Sequence, residues 1–227
     1  MTKIEAVIFD WDGVVSDSAG LQVEAEQVAA QALAEERGIE LDVASIDWTA
    51  FEGWGRVKIA ASLFNVEPTA ALAETYRNQV VDASVSIINE GKLSPVEGVL
   101  SFFDYMRMRV GPLAVATSSN RKILDPSIAL FGLGNHILTT VAHRECVDDK
   151  PKPGPYIEAM RRLHVAPERT LVVEDSASGI TAGRCAGAMV LGIATTKSAE
   201  YLRTSTDAQL VAEDFKQAAN LLQSYLK

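Results

Sequence analysis

The chain opens on an unbroken apolar run, Ala6-Val7-Ile8-Phe9, that stops at polar residues. Four apolar residues with no polar alternate read as a strand buried on both faces. From Ala19 to Arg37 the period becomes helical: Leu21, Ala25, Val28 and Ala32 recur three or four apart, and Gly38 closes the run. A short segment over Val43–Phe51 follows, then the loop Glu52-Gly53-Trp54-Gly55-Arg56, then a helix over Val57–Phe64. Pro68 marks a boundary, and Thr69–Asn89 reads as one long helix. Residues 18–92 carry no strand signal, so they are expected to form a small helical bundle.

From Pro95 the pattern alternates. A helix over Val96–Arg109 leads into a buried strand, Pro112–Thr117, and a helix over Asn120–Phe131 precedes a weak strand at His136–Thr140. A helix after Pro155, a strand over Thr170–Glu174, a Gly/Ala-rich helix over Ser176–Ala186 and a strand over Ala188–Gly192 come next. A last strand at Gln209–Ala212 precedes a closing helix, Asp214–Leu226. Strands alternating with helices predict an α/β fold with a doubly wound, mostly parallel sheet covered on both faces. The core is expected from 1–17 with 93–227, and the helical bundle is its insert. Chemistry in such sheets lies beyond the carboxyl ends of the strands, at the switch point.

Composition adds exclusions. Net charge is −9, which leaves no electrostatic footprint for nucleic acid. The charge is uneven: residues 18–92 hold 12 acidic and 5 basic residues, −7 of the total, as expected of a separate module. Two cysteines exclude a disulfide scaffold and suit the cytoplasm. No apolar stretch approaches the roughly 18 residues of a membrane span, and no signal segment opens the chain. His143 and Cys146 lack a second ligand pair, so zinc is not expected.

Three strand ends carry chemistry. The first ends in Asp10 and Asp12, two acids that an extended strand would point the same way, followed by Gly13 for a tight turn. The second ends in Thr117-Ser118-Ser119-Asn120, hydroxyls and N–H groups at a helix start and so a ready anion site. The third ends in Glu174-Asp175-Ser176, and Lys150 sits between prolines in Asp149-Lys150-Pro151-Lys152-Pro153. Each alone could be a cap or a surface charge. Together they suit phosphoryl transfer through a carboxylate. Mg²⁺ is expected on Asp10, Asp12, Glu174 and Asp175. Thr117, Ser118, Asn120 and Lys150 are expected on the phosphate, with Asp10 the nucleophile and Asp12 the acid.

On these residues the chain resembles the haloacid dehalogenase superfamily, in the subgroup of β-phosphoglucomutases and small sugar-phosphate phosphatases. Asp10-Trp11-Asp12-Gly13-Val14 is similar to the first motif, Thr117 to the second, Lys150 to the third, and Glu174-Asp175-Ser176 with Gly179 to the fourth. The resemblance implies a Rossmann-like core with a helical cap, Mg²⁺, and an aspartyl-phosphate intermediate. It also implies a cap loop that reads the substrate, where Gly53 and Arg56 fall. Asp12 argues for phosphate esters, since dehalogenases and phosphonatases of the family lack that second acid. The expected partner is a small phosphorylated metabolite, with no nucleic acid or membrane and a monomer slightly favoured. A phosphomutase is the alternative, but Gln22 and Glu52 stand where mutases of the family carry a histidine and a lysine. A receiver-type signalling module would take its acceptor acid from a later strand.

Overall fold

The structure is a computed structural model that describes residues 3–51, 56–67 and 69–226. The chain forms two compact units, Met1–Asp17 with Ser94–Lys227, and Ser18–Leu93.

The first unit is built on β1 (Ala6–Phe9), whose four side chains are all buried. Period-2 alternation sends Val7 and Phe9 to one face of the sheet and Ala6 and Ile8 to the other. After β1 the chain closes a tight loop, with Val15 and Ser16 N–H both donating to Trp11 O at 2.9 and 2.8 Å. It leaves the unit through β2 (Ser16–Asp17), which pairs antiparallel with the returning β3 (Ser94–Pro95).

The second unit holds α1 (Ala19–Arg37), α2 (Arg56–Phe64) and α3 (Ala70–Asn89). Alanines at 25, 29, 30 and 34 form most of the buried face of α1, and α3 buries Leu72, Tyr76, Val80, Ile87 and Ile88. Gly38 ends α1 in the left-handed region, φ 64°, and its N–H reaches the Ala34 and Glu35 carbonyls. Thr69 caps α3 by accepting Leu72 N–H at 3.2 Å.

Back in the first unit, α4 (Val99–Arg109) leads to β4 (Leu113–Ala116), α5 (Arg121–Leu130) and β5 (Thr139–Val141). Then come α6 (Gly154–Leu163), β6 (Thr170–Glu174), α7 (Ala177–Cys185), β7 (Met189–Ile193), α8 (Ala199–Ser205), β8 (Leu210–Ala212) and α9 (Phe215–Leu222). The six-stranded sheet runs β5-β4-β1-β6-β7-β8, with every neighbouring pair parallel. It is a doubly wound, Rossmann-like sheet, and β1 lies between β4 and β6 where the winding reverses. On one face Phe9 stacks on Phe103 at 4.2 Å, and Phe102 packs on Phe215 of α9. On the other, the small Ala6, Ala114 and Ala116 lie against Tyr156, Ala159 and Met160 of α6. Each large apolar side chain so buried contributes roughly 1.5–3 kcal/mol.

Some expected elements moved. The weak strand expected at His136–Thr140 is β5, Thr139–Val141, because pairing with β4 begins only at Ala114↔Thr139. The helix expected from Val96 starts at Val99, since Gly98 before it is left-handed, φ 80°. The closing helix ends at Leu222. Helix α8 was not expected; its signal is Ser198, which accepts Tyr201 N–H at 3.2 Å, ahead of Glu200 in the first turn. No helix among the described residues is long and apolar enough to cross a membrane.

Candidate active site

The carboxyl ends of β1, β4 and β6 bring the charged residues together. Asp10 follows β1, its backbone still joined to β6 through N–H to Val173 O at 3.0 Å. Lys150 donates from Nζ to Asp10 Oδ1 at 2.6 Å and to Glu174 Oε1 at 2.7 Å, and its ammonium lies 4.8 Å from the Tyr156 ring centre. The lysine side chain is only 6% exposed, so it serves as the counter-ion of an internal pair and not as a surface charge.

Glu174, fully buried, is held from both ends. Oε1 also accepts the Tyr156 hydroxyl at 2.8 Å, while Oε2 accepts Asp175 N–H, Ser176 N–H and the Ser176 hydroxyl, each at 3.0 Å. Those N–H groups lie just ahead of α7, at whose N-terminal end a carboxylate is favoured by the helix dipole. Ser176 caps the same helix by accepting Gly179 N–H at 3.0 Å.

Carboxylate oxygens of Asp10, Glu174 and Asp175 lie within 4.8 Å of one another. Burial pushes the Asp10 carboxyl well up; Lys150 pulls against this, and Glu174 and Asp175 add repulsion. Burial and the Glu174 charge likewise raise Asp175, to about 6. Burial opposes the charge on Glu174 as well, but there Lys150 and the surrounding hydrogen bonds outweigh it and the carboxyl is held low. For Lys150, too, the charges of Asp10 and Glu174 outweigh burial and keep it protonated. Three crowded carboxylates against one ammonium leave a surplus of negative charge on hard oxygen donors. That donor set fits a small divalent cation such as Mg²⁺.

Asp12 is not among those three, although its charge adds to the repulsion on Asp10. Its Oδ2 accepts the Ser119 hydroxyl in a close contact and the Thr117 hydroxyl at 3.4 Å. The structure therefore does not bring the Asp12 carboxylate among the metal-ligating oxygens expected of it. Thr117 is buried and its Oγ1 also accepts Ser119 N–H at 3.0 Å, which ties the loop after β4 to Asp12. Ser118 is exposed on that loop. Asn120, expected on the phosphate, uses its Oδ1 to cap α5, accepting Lys122 N–H at 2.9 Å, so the capping role holds that atom. Gly53 lies outside the described residues, and Arg56 is described only as the first residue of α2.

Several neighbours had no motif to announce them. Tyr156, in the first turn of an α6 that packs on β4 and β5, reaches Glu174 with its hydroxyl, and burial next to Glu174 pushes that hydroxyl's pKa far up. Thr196, past the end of β7, donates its hydroxyl to Asp175 Oδ2. Gly13, φ 78°, leaves the space that Asp175 fills; a Cβ there would meet Asp175 Oδ2 at 2.3 Å.

The clustered acids, buried lysine and hydroxyls lie where enzymes with doubly wound parallel sheets keep their active sites. The chain belongs to the haloacid dehalogenase-like hydrolase family, which it matches over residues 4–187. It is similar to a phosphorylated carbohydrates phosphatase of Thermotoga maritima, 27% identical over 81% of this chain and 82% of that protein. It also resembles the bifunctional riboflavin kinase/FMN phosphatase of Arabidopsis thaliana, 29% identical over 51% of this chain, which spans 31% of that larger protein. Among solved structures, CbbY of Rhodobacter sphaeroides in complex with phosphate superposes with a TM-score of 0.77 at 21% identity, over 98% of this chain and 99% of that one.

Proposed function

We propose that the chain is a Mg²⁺-dependent phosphatase that hydrolyses a small phosphomonoester, in the first place a sugar phosphate, through an aspartyl-phosphate on Asp10. The observation that carries this reading is the Asp10–Lys150–Glu174 ion triad beside Asp175, with Asp12 held by two hydroxyls on the next strand end. The similarity to a phosphorylated carbohydrates phosphatase supports the substrate class.

Asp10 attacks phosphorus and forms the acyl-phosphate bond as the ester P–O bond breaks. Asp12 gives its proton to the departing alcohol oxygen. Water then attacks phosphorus, Asp12 takes its proton, and Asp10 leaves with its carboxylate restored. Lys150 lies against the attacking acid and is placed to balance charge on the phosphate oxygens. Thr117 and Ser119 hold the Asp12 carboxyl toward the leaving group. Asp10 and Asp175 would hold the Mg²⁺; Glu174, already carrying five donors, is better suited to anchoring Lys150 and the start of α7. When bound, the metal supplies the positive charge that lets carboxylate and phosphate approach. The helical unit, through the loop of Gly53 and Arg56, is where we place substrate selection. Both thiols, Cys146 and Cys185, are free, in keeping with a reducing compartment such as the cytoplasm.

The test is a phosphate-release screen over sugar phosphates, nucleotides, phosphoglycolate and acyl phosphates. Release should stop with EDTA and return with Mg²⁺ at about millimolar concentration. Full activity in a metal-free preparation would rule out the metal. Glucose 6-phosphate forming from β-glucose 1-phosphate faster than free phosphate would replace the hydrolase with a mutase.

A further inference from the structure

The turn after β5 holds Arg144 in the left-handed region, φ 64°. A bulky L residue adopts that backbone at a cost, and only where its neighbours fix it. Both neighbours are fixed here. His143 N–H donates to Ser119 O at 2.9 Å, and His143 Nδ1 lies 3.2 Å from Asp149 Oδ1. Glu145 takes the Arg121 guanidinium in a two-pronged contact at 2.8 and 2.6 Å and also accepts Ala142 N–H at 3.2 Å. The turn is thus tied to Ser119, whose hydroxyl bonds Asp12, and to the residue before Lys150.

The cations around it are mostly engaged. Lys150 faces Asp10 and Glu174, Arg121 faces Glu145 and Asp125, Lys152 faces Asp148, and Arg162 faces Glu158. Arg144 is exposed and makes no ion pair or hydrogen bond among the described residues. Lys122 is exposed as well, but ordinary helical backbone carries it. If the turn alone mattered, glycine would serve it without strain. Instead an unengaged guanidinium stands on a braced backbone, one residue from the bond to Ser119.

We propose that Arg144 contacts the leaving-group half of the substrate, selecting phosphomonoesters whose far end offers a pair of oxygens to the guanidinium fork. The inference rests on the phosphatase reading above. Carboxylate and vicinal diol share the required chemistry, so the assay separates them: phosphate release from 2-phosphoglycolate, from ribose 5-phosphate, and from phenyl phosphate, which offers neither. Arg144→Gly suits the left-handed backbone, so its melting temperature should hold or rise. For one of the two oxygen-bearing esters, KM should rise about tenfold or more with kcat nearly unchanged. Phenyl phosphate hydrolysis should stay within about twofold, and Arg144→Lys should recover only part of the loss. Equal changes on all three esters, or none on any, would overturn the proposal. A parent enzyme that hydrolyses no ester would instead overturn the phosphatase reading, and this inference with it.

Discussion

Asp10→Asn is expected to give a folded protein that releases no measurable phosphate. Asparagine keeps the shape of the side chain and removes the charge that attacks phosphorus. Loss of a nucleophile of this kind costs on the order of 10⁴-fold or more in turnover. Folding should survive for a reason visible at the site. Burial and the neighbouring Glu174 and Asp175 hold the Asp10 carboxyl pKa well up, so its charged form is disfavoured in the folded protein. A neutral amide escapes that penalty, although it gives up the 2.6 Å contact with Lys150 as an ion pair. The variant should therefore still melt cooperatively in EDTA, with Lys150 paired to Glu174 alone, while activity vanishes. A variant that turns over within about tenfold of the parent would remove Asp10 from the nucleophile's role.

The strands that form this site were legible because a doubly buried strand leaves an unmistakable apolar run. Ala6–Phe9 and Thr170–Glu174 were read to the residue, and the acids after them were read with them. Helix ends were legible where glycine stops a run, as Gly38 does at α1; Thr69 and Asn120, read as the first residues of helices, instead cap α3 and α5. Less legible were short elements whose existence depends on a partner. β5 has three residues, and its start is set by its register against β4 and not by its own pattern. β2 and β3 have two each and exist because the chain crosses there twice.

Within the site, the types of residue could be read but not the hydrogen-bond partners of each. The i, i+2 spacing in an extended strand was expected to point Asp10 and Asp12 the same way. The loop closed by Trp11 O bends the chain just after Asp10, so the two acids face different partners. Asp10 meets Lys150; Asp12 meets Ser119 and Thr117. Tyr156 and Thr196 were invisible for a related reason. Each is an ordinary residue in its own segment, and only the packing of α6 on the sheet, or the exit of β7 beside β6, gives it a carboxylate to bond.

Gly179 shows the same dependence from the side of stability. In the first turn of a nine-residue helix, alanine would normally be preferred to glycine by roughly 1 kcal/mol. Here a Cβ would stand 1.5 Å from Glu174 Oε1 and 1.9 Å from its Cδ. A surface carboxylate would swing aside, but this one is fully buried and bonded to Lys150, Tyr156 and the Asp175 and Ser176 N–H groups just ahead of α7. Moving it breaks those bonds and leaves Lys150 with one partner in place of two. Overpacking of this kind costs about 1–3 kcal/mol, and breaking a buried ion pair about 3–5 kcal/mol. Gly179→Ala is therefore expected to lose roughly 3–5 kcal/mol, a fall of about 6–20 °C at this chain length. Activity should fall too, because Lys150 would no longer be held against Asp10. Gly20→Ala provides the contrast: it lies in the first turn of α1 with nothing within 4 Å of the added carbon, so the intrinsic preference should show as a small gain. Thermal melts of the two variants decide the matter. If Gly179→Ala melts with or above the parent, Glu174 can yield freely, and the anchoring role given to it here is wrong.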